Sequence, residues 1–307
     1  MSHSCGMCNA TSLDEVYEPE RSTRGIKVFL CNHCGLVQSL PRIAHAPRRS
    51  AAVSSGADWG NVRYGKGFRT NVALEALRRH ADLAAEFCIL DVGSNRGSFA
   101  RALLDAAPAA RLVAVEPDER VAQSCAGFER TELIEARIEA TSLAAKRFDV
   151  VHSCHTIEHL ADPAAVLADH WRTLKDGGLL VIDAPNIAFL GLDDVVEEWF
   201  IDKHLFHFSP RTLVRMIEMT GFEILEGPDS ADRENLLIVA RKVTTPPPIF
   251  GHDHGEVERA ATLMTTYVAT RARNLAALTA VATRIANMRP RRVAMWGAGR
   301  IFDSLVV

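Results

Sequence analysis

The sequence has no apolar run approaching the length of a membrane span, which excludes a spanning helix. Its start, Met1-Ser-His-Ser-Cys5, has no charged-then-apolar pattern of an export signal, so a cytoplasmic protein is expected. It also has no excess of basic charge. The 35 Lys and Arg face 38 Asp and Glu, and a net charge of −3 leaves no electrostatic footprint for nucleic acid. Composition is otherwise that of a globular protein, with 48% apolar and 24% charged residues. A chain of 307 residues can hold a full core and more than one domain.

Reduced cysteines in a cytoplasmic protein need a reason other than disulfides. Cys5-Gly-Met-Cys8 and Cys31-Asn-His-Cys34 supply one: they are two Cys-x-x-Cys pairs separated by 22 residues. Each pair can form a knuckle that aims two thiolates at one tetrahedral ion. The spacing predicts a structural zinc on Cys5, Cys8, Cys31 and Cys34, with His33 a neighbour. Four ligands close the site, so no catalysis is assigned to it. The metal would stabilise a segment too small to hold itself together. Residues 1–50 are read as this zinc-binding domain. Pro41 to Gly60, rich in Pro, Arg, Ala, Ser and Gly, reads as a linker.

The pattern that organises the rest is Phe87-Cys-Ile-Leu-Asp91-Val-Gly93-Ser94-Asn95-Arg96-Gly97. It reads as a buried strand, a tight turn and a helix start. Glycines at 93 and 97 let the backbone approach a ligand. Ligands of open α/β sheets bind outside the carboxyl ends of strands. A second apolar strand, Arg111 to Val115, ends in Glu116-Pro117, and an acidic residue there can accept from both hydroxyls of a ribose. This is a nucleoside half-site, and NAD and S-adenosylmethionine both fit it. The dinucleotide fingerprint has three glycines, and one is missing here.

Further strands are expected at Glu132 to Glu135, Phe148 to His152, Leu179 to Asp183, Phe222 to Leu225 and Leu236 to Ala240. A helix follows Ser209-Pro210 and ends at Gly221. Another runs from Phe68 to His80, with Val72, Leu74 and Leu77 buried. Strands alternating with helices predict a doubly wound α/β fold with a mostly parallel sheet of seven strands; the last two are too close for a crossover and are antiparallel. This domain is taken as 51–243. Thr244-Thr-Pro-Pro-Pro248 then forms a stiff linker. Residues 244–307 add a long helix, Glu256 to Met288, with Val257, Ala261, Met264, Val268, Leu275, Leu278, Ala282 and Ile285 near one face. That face is expected to pack on a neighbour or a second copy.

Asp91-x-Gly93-x-x-x-Gly97 followed by Glu116-Pro117 resembles the first two motifs of class I S-adenosylmethionine-dependent methyltransferases. His155-Thr-Ile-Glu158-His159-Leu-Ala-Asp-Pro163 and Leu174-Lys-Asp-Gly-Gly-Leu-Leu-Val-Ile-Asp-Ala-Pro-Asn186 resemble their fourth and fifth. With the four cysteines in front, the chain is similar to bacterial methyltransferases that carry an N-terminal zinc-binding domain, among them C-methyltransferases of nucleotide-linked keto-sugars. In these a third domain follows, and it begins like Val293-Ala-Met-Trp-Gly-Ala-Gly-Arg300. The resemblance implies a Rossmann-like methyltransferase sheet and a small-molecule acceptor. It implies S-adenosylmethionine held by Asp91, Gly93, Ser94, Asn95, Gly97, Glu116, Pro117, Cys154 and His155. Where the sugar enzymes carry His-Glu-His-x-Ser-Tyr-Phe, this chain has Asp202-Lys-His204-Leu-Phe-His207-Phe208, sharing His204 and Phe208.

Transfer to carbon or to a hydroxyl requires a base, and His suits either. The expected base is His204, with His155 and His207 as alternates and Tyr64 as a polar support. Glu158 and His159 are expected to pair locally at a helix start; a second metal beside His155 is the alternative, as in RNA 2′-O-methyltransferases with Glu-x-x-Glu-His at this place. An NAD-dependent oxidoreductase, suggested by Gly297-Ala-Gly299, and a non-catalytic zinc-and-adenosyl-binding protein are the competing functions.

Overall fold

The computed structural model describes residues 3–20, 22, 25–42, 68–190, 199–200, 204–289 and 292. Tyr64, Lys203 and the 293–300 stretch lie outside them. The principal elements, in chain order, are β1 (Leu13–Tyr17), β2 (Lys27–Cys31), β3 (Val37–Leu40), α1 (Phe68–Arg78), β4 (Cys88–Val92), α2 (Ser98–Ala106), β5 (Arg111–Val115), β6 (Thr131–Ile134), β7 (Phe148–Cys154), α3 (Pro163–Thr173), β8 (Leu174–Pro185), α4 (Pro210–Met219), β9 (Phe222–Glu226), β10 (Asn235–Lys242) and α5 (His254–Asn287). Among the described residues no helix is long and apolar enough to cross a membrane.

The chain forms two compact units. One gathers Met1–Pro41, Ile187–Leu205 and His252–Val307; the other gathers Arg42–Asn186 and Phe206–Gly251. Composition divided the chain at 50 and 243 instead. The difference has a physical basis, because the N-terminal strands and α5 share a core. Val28, Leu30 and Val37 pack with Ile187, Leu190, Phe200, Ala260, Met264 and Tyr267. Tyr17, Phe200 and Tyr267 meet with ring centroids 5.3–5.4 Å apart, the separation at which aromatic pairs attract. The Cys5–Cys8 knuckle precedes the antiparallel β1, β2 and β3, and the Cys31–Cys34 knuckle joins β2 to β3.

Helix α5 is capped by Asp253, whose side chain accepts from the Glu256 amide. Its buried stripe is Glu256, Ala260, Met264, Tyr267, Thr270 and Arg271. Of the face read from the sequence, Met264 alone belongs to this set. Val268 and Val281 are exposed. An Ala-rich helix has weak apolar contrast around its circumference, and the two polar ends of the stripe hid its true direction.

The second unit is the seven-stranded sheet, in the order β9-β10-β8-β7-β4-β5-β6. Pairs β4–β5, β4–β7, β5–β6 and β7–β8 are parallel. Strand β10 runs antiparallel to both of its neighbours, β9 and β8. Strand β8 starts at Leu174 rather than at the expected Leu179, and this early part is irregular: pairing with β7 shifts between Phe148 and Val150. Ala73, Leu77, Leu103, Leu112, Val150, Val181 and Val239 belong to one core on the sheet. Helix α4 begins with Ser209 as cap, Pro210 in its first turn and a capping box closed by Thr212.

Candidate active site and metal centre

Strands β4 and β5 end side by side, with Val92 paired to Val115, and the glycine turn follows β4. The amides of Gly93 and Ser94 donate to Val115 O at 2.8 and 3.1 Å, which ties the β4 turn to β5. Gly93 and Gly97 both have φ +74°, and Asn95 has φ +50°. A Cβ on Gly93 would lie 2.2 Å from Thr156 Oγ1, so glycine is required by conformation and by space. Gly97 precedes α2 and sets its N-terminus in the left-handed region.

Glu116 leaves β5 with its carboxylate held by two backbone donors, Asn95 N at 2.9 Å and Asp118 N at 2.8 Å. A carboxylate accepts about four hydrogen bonds, so this anchoring orients the group without exhausting it. Pro117 follows, half-buried. Asp91 is 2% exposed. Its Oδ1 lies 2.7 Å from Nδ1 of His152, and the imidazole stacks on Phe99 with centroids 3.6 Å apart. Asp91 Oδ2 is buried without a hydrogen-bond partner among the described residues. Burying a carboxylate oxygen without a partner is costly, and a bound donor removes the cost. An ammonium or hydroxyl of a ligand over Gly93 is such a donor. The residues present therefore fit a sulfonium nucleoside with an amino acid tail.

Beside this turn, β7 ends in Cys154 and His155. Thr156 Oγ1 donates to Val92 O at 3.3 Å, so the 154–156 turn borders the glycine turn. His155 has φ +49°, a conformation uncommon outside glycine, and its amide donates to Asp183 O at 2.8 Å. Its Nε2 lies 3.0 Å from Asn235 Oδ1. Burial pulls the His155 pKa down. Cys154 Sγ donates to Asp183 Oδ2 at 3.6 Å, and burial pushes its thiol well up, so it is no thiolate nucleophile. Glu158 is 2% exposed and pairs locally, 3.5 Å from His159 Nε2 and 4.0 Å from His155 Nδ1.

The sequence reading missed a charged network behind this turn. Arg69 of α1 donates through Nε to Asp183 Oδ2 at 2.6 Å and also bonds Asp232. Asp232 in turn accepts from Asn235 Nδ2 at 3.1 Å. Burial raises the Asp232 carboxyl, but the bonds from Arg69 and Asn235 outweigh it and hold the pKa below the usual range. Asp183 and His152 did leave a signal, because each is a charged or polar residue inside an otherwise apolar strand.

His207 is 2% exposed, and burial pushes its pKa down to about 3. That corrects the expectation that it is an alternate base: a side chain shut in the core and this weakly basic cannot meet an acceptor. His204, in the other unit, has Nδ1 3.2 Å from Trp199 O, a carbonyl that can only accept, so Nδ1 carries a proton.

The four cysteines converge within the first unit. Cys5 Sγ is 3.6 Å from Cys34 Sγ, and Cys8 Sγ is 3.6 Å from Cys31 Sγ. All four sulfurs lie within 4.8 Å of one another. A tetrahedron with Zn–S of about 2.3 Å has edges of about 3.8 Å, so the donor set fits zinc. The knuckles close through left-handed Asn9 (φ 59°) and Gly35 (φ 76°). Their amides donate to Cys5 O at 3.1 Å and Cys31 O at 2.9 Å. Hydrogen bonds from Cys34, then Cys5, pull Cys31 down to about 7; Cys8 is also pulled down, chiefly by Cys31, while Cys5 and Cys34 are pushed up, chiefly by Cys31.

A family model described as a methyltransferase domain matches residues 64–226, more than half of the chain. A probable S-adenosylmethionine-dependent methyltransferase of Mycolicibacterium smegmatis is 28% identical over 138 residues, which are 44% of this chain and 52% of that protein. One from Mycobacterium tuberculosis is 33% identical over 99 residues, 32% of this chain and 35% of its own length. The chain thus spans about half, or less, of the curated relatives it matches. Among solved structures, a chain from the complex between the Haloferax volcanii Trm112 methyltransferase activator and a methyltransferase superposes with a TM-score of 0.51 at 16% identity, over 62% of this chain and 98% of that one. At that identity the likeness is one of fold.

Proposed function

The chain belongs to the methyltransferase-domain family, and on that premise we propose that it moves the methyl group of S-adenosylmethionine to a small-molecule acceptor. The observation that carries the reading is the half-site itself. Asp91 offers a buried carboxylate oxygen with no hydrogen-bond partner among the described residues, and Glu116 stands at the end of the next strand, where an acid can accept from a ribose. When bound, S-adenosylmethionine supplies an electrophilic methyl carbon on a sulfonium. The chain holds the donor with Asp91, the 93–97 turn and Glu116, positions the acceptor, and takes a proton from it. Of the histidines named for that proton, His155 and His204 are half-buried, whereas His207 is enclosed.

The narrower proposal for the acceptor is a nucleotide-linked sugar. It is supported by the motif order, the cysteine segment in front, and His204 and Phe208 at the positions shared with sugar C-methyltransferases. We also propose a structural zinc on Cys5, Cys8, Cys31 and Cys34. Calorimetric titration with S-adenosylmethionine and with NADH tests the donor; tighter binding of NADH overturns the reading. The acceptor is found by incubating the protein with S-adenosyl-[methyl-³H]methionine and a bacterial small-molecule extract, then identifying labelled products by mass spectrometry.

A further inference from the structure

We propose that His155 is the general base, acting through Nδ1, and that Asn235 is the positioning residue that fixes its tautomer. The proposal rests on the methyl-transfer reading above and adds a base, an atom and a relay to it.

The argument begins at Arg69, which is always charged. It bonds the Asp232 carboxylate, and that carboxylate can only accept. Asp232 Oδ1 lies 3.1 Å from one polar atom of the Asn235 side chain and 3.2 Å from the Asn235 amide. The side-chain atom facing a carboxylate must be the NH2, a donor. The amide orientation of Asn235 follows from this network. Its oxygen then faces His155 Nε2 at 3.0 Å. An amide oxygen only accepts, so Nε2 must carry the proton. In the neutral ring the lone pair is therefore on Nδ1. The charge on Arg69 thus determines, through two intervening side chains, which imidazole nitrogen is basic.

Three further observations place the residue at the site. The residue sits outside the carboxyl end of β7, in the turn that borders Gly93 through Thr156 and Val92. Its side chain keeps 20% exposure in an otherwise buried setting. Its left-handed backbone, anchored to Asp183 O, is strain of the kind that persists at functional sites. Among the described residues, charged and titratable groups near the ring include Glu158, Asp183, Arg69, Asp232, Cys154 and His159. Glu158 Oε1 is 4.0 Å from Nδ1, beyond hydrogen-bond range, yet close enough to steady an imidazolium once formed. Burial favours the neutral ring, the form a base needs before reaction.

In the step this serves, the proton on the acceptor's carbon or oxygen passes to Nδ1. The electron pair left behind forms the bond to the methyl carbon. The carbon–sulfur bond breaks with its pair remaining on sulfur, which becomes a neutral thioether. The imidazolium then releases its proton to water.

The test is a long-range ¹H–¹⁵N correlation spectrum of the full chain, with His155 assigned by its disappearance in His155→Gln. The wild type is expected to show a protonated Nε2 and an unprotonated Nδ1 at neutral pH. A protonated Nδ1 overturns the proposal. Asn235→Leu is expected to convert the ring to a mixture of tautomers, and an unchanged spectrum removes Asn235 from its role. If Asn235→Leu does not fold, Asn235→Asp decides: it keeps an acceptor at Nε2 and adds a charge, so the same tautomer with a raised titration midpoint is expected. No change in midpoint overturns the relay. With the small-molecule extract and saturating S-adenosyl-[methyl-³H]methionine, His155→Gln is expected to lose about a hundredfold or more in rate. A larger loss in His204→Gln than in His155→Gln overturns the assignment of the base. If the wild type labels nothing in the extract, the function reading fails on its own, and the spectrum still decides the tautomer.

Discussion

Replacing Glu116 by Ala tests the cofactor half-site most directly. Two effects should separate. The first is on the protein alone. Glu116 accepts from the Asn95 and Asp118 amides. Asp118 is 1% exposed, so its N–H loses its acceptor where water cannot replace it, at about 1–3 kcal/mol. Asn95 is half-buried, and water can take over there. The second effect is on the ligand. Losing hydrogen bonds between a hydroxyl and a charged acceptor costs about 1.5–3 kcal/mol. At 1.4 kcal/mol per tenfold, the dissociation constant for S-adenosylmethionine rises about 10- to 150-fold. Urea unfolding without ligand measures the first effect and titration calorimetry the second. Glu116→Gln should recover part of the stability, because its carbonyl can still accept one amide, and little of the affinity. A fully folded Glu116→Ala protein with unchanged affinity for S-adenosylmethionine would refute the half-site.

Metal analysis of protein purified without chelator should find one zinc per chain, and Cys31→Ser should unfold the β1–β3 region while leaving S-adenosylmethionine affinity intact. Gly35→Ala should destabilise the same unit by about 1–2 kcal/mol or more, read by urea unfolding, because φ is +76° and the new Cβ would lie 2.5 Å from Glu256 Cγ and 2.8 Å from its carbonyl carbon. Acid should destabilise the sheet unit through two buried histidines, His170 with its pKa pushed to about 4 and His207 to about 3, both by burial. Both folded values lie below the unfolded one, so this stability is complete above about pH 6.5 and falls as pH drops toward 4; the slope reaches about 2.7 kcal/mol per pH unit, about 1.4 for each histidine, and His170→Gln should halve it in urea titrations.

The sheet was legible because burial on both faces leaves near-continuous apolar runs, as in Cys88–Val92 and Arg111–Val115, which interrupting glycines and acids then punctuate. The antiparallel β9–β10 pair was legible from the shortness of the connection. Unit boundaries were not, because they depend on contacts distant in sequence. Nothing local in Val28 or Tyr17 says that Met264 and Tyr267 will cover them. The face of α5 failed for a related reason. Glu256 and Arg271 lie at the ends of its buried stripe, and a pattern search scores both as solvent-facing.

The site was legible where one residue acts through its own backbone position, and opaque where it acts through a neighbour. Gly93, Gly97 and Glu116 announce themselves by spacing, since a left-handed turn and an acid at a strand end are local requirements. The Arg69–Asp232–Asn235–His155 relay joins residues from α1, the loop before β10, the start of β10 and the end of β7. Its members are 163, 3 and 80 positions apart along the chain. No spacing rule links them, and each alone reads as an ordinary polar residue. What the sequence does show is the cost they carry. Asp183 stands in a strand whose neighbours are apolar, and it is 1% exposed. A buried carboxylate must find a cation or change its charge state. Arg69 answers that requirement, and in doing so it brings to the carboxyl end of the sheet the charge that orders Asp232, Asn235 and, through them, the proton on His155.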